Sequence, residues 1–180
     1  MNLYKLHSNP ESLDHFEKVT TNNPDFFWKK YKDDKEELKK REKYIAKSAF
    51  HATAYAGDIL KGPFPAGEAV ITKDARFAYL YANDVLKGPF PAGEEAIAGN
   101  ASFAYSYAKD VLEGPFKLGE LTIAKSPNNA YSYAVDVLKG PFPAGEAAIA
   151  TEGRLSYNYA RDILKKDFYL NGKLIAKYEQ

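Results

Sequence analysis

Cysteine is absent, and with it go disulfides, thiolate metal sites and cysteine nucleophiles. Histidine is scarce: His7, His15 and His51 have no metal-ligand spacing, and no HExxH occurs. Nor is there a phosphate-binding glycine loop, a GxGxxG or a GxSxG. No cofactor is expected and no enzyme class is indicated. A carboxylate pair such as Asp110 with Glu120 is the remaining catalytic candidate, and it would need the fold to place both in one cleft. Charge of one sign is lacking too. The net value is +1, which supplies no general attraction to nucleic acid or membrane. No apolar run approaches membrane-spanning length. The opening MNLYKLHSNPESLDHFEKV has no signal-peptide core. A soluble cytoplasmic protein is the expectation.

What the chain has instead is repetition. Asp58, Asp84, Asp110, Asp136 and Asp162 mark a 26-residue register without a slip. The clearest copies are AYLYANDVLKGPFPAGEEAIA from Ala78, AYSYAKDVLEGPFKLGELTIA from Ala104 and AYSYAVDVLKGPFPAGEAAIA from Ala130. A period of this length marks a solenoid, in which each unit buries its apolar face against its neighbours. At 45% apolar residues the chain can build such a core rather than remain disordered. Most copies supply two Tyr and one Phe, so the repeat itself accounts for much of the 14% aromatic content.

Each unit reads as two helices. In the first, helix A, Ala104, Tyr107, Ala108, Val111 and Leu112 fall at i, i+3, i+4, i+7 and i+8, an amphipathic stripe over residues 101–113. Asn100 and its counterparts Ser48, Asp74 and Ser126 are good N-caps; Glu152 holds the same place in the last copy. Pro127 suits a first helical position. Gly114 reads as a left-handed C-cap, and Pro115 stops the helix. The second, helix B, starts near Pro91, carries Glu94 at its positive end and is anchored by Ile97. Neither helix is long enough to be stable alone.

Three repeated features oppose local preference and therefore imply tertiary partners. Gly67, Gly93, Gly119 and Gly145 lie in the first turn of helix B, where glycine costs roughly 1 kcal/mol relative to alanine. A close approach by a Tyr ring is expected there. The repeated Asp sits near the negative end of helix A and needs a donor. It either caps its own helix B or accepts from a Tyr hydroxyl. Phe64, Phe90, Phe116, Phe142 and Phe168 follow the Gly-Pro turn and are placed to plug the gap between the two helices.

The ends differ, as terminal repeats do. Residues 1–47 read as an N-terminal helical cap: a helix from Pro10 to Thr20, then a longer one from Pro24 to Lys47 whose Glu42, Ile45 and Ala46 match helix B. Residues 48–180 form the array. In its last copy Phe168, Ile175 and Ala176 keep their places while the helix B Glu becomes Gly172. The fold expected is an all-α solenoid of antiparallel helix pairs, five repeats after a helical cap. With both ends capped, a monomer or weak dimer follows.

A partner surface is sought where the copies differ. The varying helix A positions are Ser102, Ser106, Lys109 and Glu113, whose spacing of i, i+4, i+7 and i+11 puts them on one face. Their counterparts are Arg76, Leu80, Asn83 and Lys87; Asn128, Ser132, Val135 and Lys139; and Arg154, Asn158, Arg161 and Lys165. Stacked, they form a wall that changes from repeat to repeat, with Leu80 and Val135 exposed on it. Binding of another protein is the leading expectation. The alternative is nucleic acid, stacked on a Tyr105-type ladder and held by the basic stretch Lys29 to Lys47. Mixed charge in that stretch reads first as a solvated face, and residues 48–180 carry 14 basic against 15 acidic side chains. A row of five carboxylates at 26-residue spacing is read first as structural, since an element that occurs once per repeat usually builds the repeat.

The copy SPNNAYSYAVDVLKGPFPAGEAAIA, from Ser126 to Ala150, resembles the tandem short helical-repeat proteins of tailed bacteriophages, a group without a common known function. The resemblance spans about residues 42–176. The glycines at 67, 93, 119 and 145 depart from the alanine more usual in that pattern. What the resemblance implies is a phage accessory protein acting in the host cytoplasm, on a host enzyme or defence component.

Overall fold

The computed structural model describes residues 34–40 and 42–179. The helix expected at Pro10 to Thr20 and the start of the one expected from Pro24 lie outside them. The chain forms two compact units, residues 1–71 and 72–180. The described residues form an all-α helical repeat that ends in a short hairpin.

In the first unit, α1 (Lys35–Lys39) and α2 (Glu42–Ile45) precede an A helix, α3 (49–60), and a B helix, α4 (Pro65–Ile71). The continuous helix expected through Lys47 is therefore interrupted by a turn at Lys40, and it ends in a turn at Ala46 and Lys47. In the second unit the A helices are α5 (75–86), α7 (101–111), α9 (127–138) and α11 (153–164). The B helices are α6 (91–98), α8 (117–123) and α10 (143–149). In the second unit α5, α7 and α9 each pack on the B helix that follows and on the next A helix, which makes a two-layered solenoid.

The caps work unevenly. Asp74 accepts from the amides of Arg76 and Phe77, and Asn100 from those of Ser102 and Phe103. Ser48 makes one long bond to the His51 amide, 3.4 Å. Ser126 makes none, because its hydroxyl accepts from the Asn129 side chain and Pro127 has removed one donor. Glu152 does not cap either.

The A helices end in a widened turn. The Lys61 amide donates to Ala56 and the Gly62 amide to the same carbonyl at 3.1 Å, bonds that reach five and six residues back. The left-handed residue is not the glycine, as expected, but the residue before it: Lys61, Lys87, Glu113, Lys139 and Lys165 have φ of 50–55°. The glycine supplies the amide that closes the turn, and the reversal falls one residue earlier, as in other left-handed helix caps.

The B-helix glycines meet a different ring from the one expected. A Cβ on Gly93 would lie 2.6 Å from Phe90 Cδ1 and 2.9 Å from Ala78 Cβ, and Gly119 and Gly145 are equally tight. Each repeat's own Phe, rather than a Tyr, presses on the glycine together with an A-helix alanine. Those Phe rings are buried and stand edge-on to Tyr55, Tyr107 and Tyr159 at 5.1–5.3 Å between centroids.

The same tyrosines tie repeat to repeat. Tyr107 is fully buried; its hydroxyl donates to Glu94 Oε1 at 2.9 Å and accepts from the Phe90 amide at 2.9 Å, both in the preceding repeat. Tyr133 makes the same two bonds with Glu120 and Phe116, and Tyr159 with Glu146 and Phe142. In the first unit Tyr55 donates to Glu42, which confirms the helix B register of that glutamate. The Phe amide follows a Gly-Pro turn and takes its partner from this hydroxyl; unpaired, it would be a buried orphan. Burial, then hydrogen bonding to the carboxylate, pushes the Tyr107 and Tyr133 phenols up to about 12.

The last repeat departs from expectation. No B helix follows α11. Phe168–Leu170 (β1) and Lys173–Ala176 (β2) form an antiparallel hairpin instead. Asn171 and Gly172 carry φ of 50° and 79°, the signature of a two-residue turn that Asn-Gly favours. Phe168 still plugs the core at 1% exposure, so the hairpin closes the array with the usual ring and a different backbone.

Tyr107→Phe should destabilise the protein by about 1–3 kcal/mol, because it strands the Phe90 amide and the Glu94 carboxylate together; denaturant midpoints measure it. Lys139→Gly should stabilise by about 1 kcal/mol by relieving a left-handed side-chain residue, raising Tm by roughly 2–4 °C in a thermal melt.

Candidate binding surface

The outer side of the A-helix layer in the second unit holds the varying positions. Arg76, Ser102, Lys109, Asn128, Arg154 and Arg161 are exposed there. Leu80, Asn83, Ser106, Ser132, Val135 and Asn158 are half-buried, so the two apolar members, Leu80 and Val135, are less open than expected.

A second ladder runs beneath them. Two residues along a helix is about 200° of rotation, so the two tyrosines of each copy face opposite neighbours. Tyr107 reaches back to Glu94, and Tyr105 reaches forward to Asp136 of the next repeat. Tyr79 likewise donates to Asp110 at 2.9 Å, and Tyr131 to Asp162 at 3.1 Å. Asp110, Asp136 and Asp162 thus have the donor their position demanded, a Tyr hydroxyl rather than a cap on their own helix B. The pairing lies 31 residues apart, one period plus five, which the copies viewed one at a time do not display. Burial, then the Asp110 carboxylate, pushes the Tyr79 phenol up to about 12.

The residue before each Asp modulates that ladder. Asn83 donates to its own Asp84 at 2.8 Å. Lys109 Nζ stands 3.3 Å from Tyr105 Oη and 3.3 Å from Asp136 Oδ2, bridging to the next repeat. Val135 offers only methyl groups. Arg161 holds both oxygens of its own Asp162, at 2.6 and 2.8 Å. The Tyr105 hydroxyl, assisted by Lys109, holds the Asp136 carboxyl below the usual carboxylate range; Arg161 does the same first for Asp162. These are lowered carboxyl pKa values. Their contribution to stability is therefore complete above the unfolded value and is lost as pH falls through the folded one.

The ladder also covers ring faces. Tyr79 stacks on Phe103 at 5.9 Å, Lys109 lies 5.7 Å from the Tyr105 centroid, and the Arg161 guanidinium lies 5.6 Å from that of Tyr157. A polar rung between Asn129 and Ser102, 3.3 Å, joins the start of neighbouring helices. Asp110 and Glu120, the candidate acid pair, serve different partners: Tyr79 for the first, Tyr133 and Lys117 for the second. Among the described residues no helix is long and apolar enough to cross a membrane.

Comparison with protein-family models, with curated proteins and with solved structures yields no match.

Asp110→Ala should lower Tm slightly, by the equivalent of about 0.5–1 kcal/mol, since it frees an exposed rung whose partner can turn to water. Binding by the rest of the array should persist. An unchanged melting curve with binding lost would make the Asp row a recognition site.

Proposed function

We propose that this chain is a non-catalytic binding protein that engages another protein through the outer side of its A-helix layer. The observation that supports the reading is a constant frame carrying inconstant side chains. The Tyr–Asp ladder joins the copies of the second unit in the same way, while one register runs Arg76, Ser102, Asn128, Arg154 and another Asn83, Lys109, Val135, Arg161. Solenoids commonly carry specificity on such a surface. The bacteriophage resemblance makes the target a host enzyme or defence component in the host cytoplasm, met by a monomer or weak dimer.

The test is affinity capture from bacterial lysate with and without nuclease, followed by mass spectrometry. Arg76→Glu and Arg154→Glu are the informative changes, because both side chains are exposed and neither holds a ladder carboxylate, whereas Lys109 and Arg161 do. A specific protein should be captured by the parent chain and lost with the double variant at unchanged helicity. Capture that survives both substitutions, or that vanishes after nuclease, overturns the reading.

A further inference from the structure

The opposite layer carries a feature that sequence comparison of the A helices misses. Helix α8 breaks with its sister B helices at several positions at once. Lys117 and Leu118 stand where the others have Pro and Ala (Pro91 and Ala92, for instance), and Leu121 where they have Ala69, Glu95 and Ala147. Lys125, just past the helix, aligns with Gly99 and Thr151 in the adjoining repeats.

None of these changes serves the fold. The structural work of α8 is done by other residues: Glu120 and the Phe116 amide hold Tyr133, Gly119 lies under Phe116, and Ile123 is fully buried. Leu118 is 54% exposed and Leu121 76%. The two are three residues apart and share one side of the helix. Lys117 is 79% exposed despite its 3.0 Å contact with Glu120, so its ammonium is displayed beside them. Lys125 is exposed at the other end. The adjoining B helices present mainly proline and alanine, with Glu95 on one side.

We propose that Leu118 and Leu121, flanked by Lys117 and Lys125, form a docking site for an acidic amphipathic helix of a partner protein. Paired leucines at helical spacing suit the apolar stripe of such a helix, and the flanking cations suit carboxylates beside that stripe. The same charges argue against a second copy: a two-fold axis through the leucines sets Lys117 and Lys125 near their own mates. A membrane surface fits poorly, since interfacial helices present an apolar face several turns long, and here it is one pair beside an acid.

The site is separate from the A-helix wall and is tested separately. The full chain is used to select from a displayed library of helical peptides, and an enriched peptide is then titrated by fluorescence anisotropy. Enriched sequences should carry apolar residues at i and i+3 or i+4 with an excess of Asp and Glu. Leu118→Ala with Leu121→Ala should weaken binding about tenfold or more. The melting curve should not move, because Ala144 and Ala147 occupy those places in the next repeat. Arg76→Glu with Arg154→Glu should leave this affinity unchanged. Selection of basic or uncharged peptides overturns the proposal, as does failure to select any peptide sensitive to the leucine changes. Leucine-dependent dimerisation in light scattering, or leucine-dependent sedimentation with phosphatidylserine vesicles, does so too.

Discussion

One phenol oxygen holds the architecture together. In Tyr107, Tyr133 and Tyr159 it lies between a backbone amide it must satisfy and a carboxylate that satisfies it, and both belong to the preceding repeat. The ring beneath that oxygen packs on the phenylalanine of its own repeat, Phe116 for Tyr107, while the oxygen accepts from the amide of the preceding repeat's phenylalanine, Phe90. One tyrosine therefore makes its ring contact inside its own repeat and its hydrogen bonds to the one before, so packing within a copy and bonding between copies meet at a single side chain. The left-handed turn, the Gly-Pro corner and the bare glycine of helix B seat each phenylalanine ring against its own repeat's tyrosine and leave its amide facing the tyrosine of the next.

Much of this was legible. The period, the A-helix stripe, the isoleucine anchors and the plugging phenylalanines follow from spacing, because they are local or repeat in step. The register of Glu42 was legible as well, and its bond to Tyr55 bears it out. What escaped involves pairing between copies or competition within a turn. The bonds of Tyr105 and Tyr107 to opposite neighbours need the stacking direction, which a periodic sequence does not state. The glycine before each proline drew the left-handed assignment away from Lys61, Lys87 and Lys139, although lysine tolerates that conformation at modest cost. Asn171-Gly172 is a strong hairpin signal in its own right, and the repeat register overrode it. Of the wall, the exposure of its charged members was legible and that of Leu80 and Val135 was not, since both are half-buried.

The two layers put different demands on substitution. On the A-helix side, a change at the position before the Asp is felt by the ladder, because Asn83, Lys109 and Arg161 each reach a carboxylate. On the B-helix side, the solvent-facing positions carry no such duty, and Leu118 and Leu121 stand there without disturbing the bonds of Glu120. Variation on the first side is constrained by stability. On the second it is limited mainly by solubility, which makes an exposed leucine pair the more telling departure.

Within the second unit each of the three joins between copies is made by one tyrosine reaching backward and another reaching forward, so the joins are alike. Nothing in them records a place in the row. A whole copy can be inserted, removed or exchanged with its neighbour and each seam will still find its phenol, amide and carboxylate. The inner copies of the second unit thus behave as interchangeable tiles, whose outer pattern can be rewritten by reordering alone, with no new core to invent.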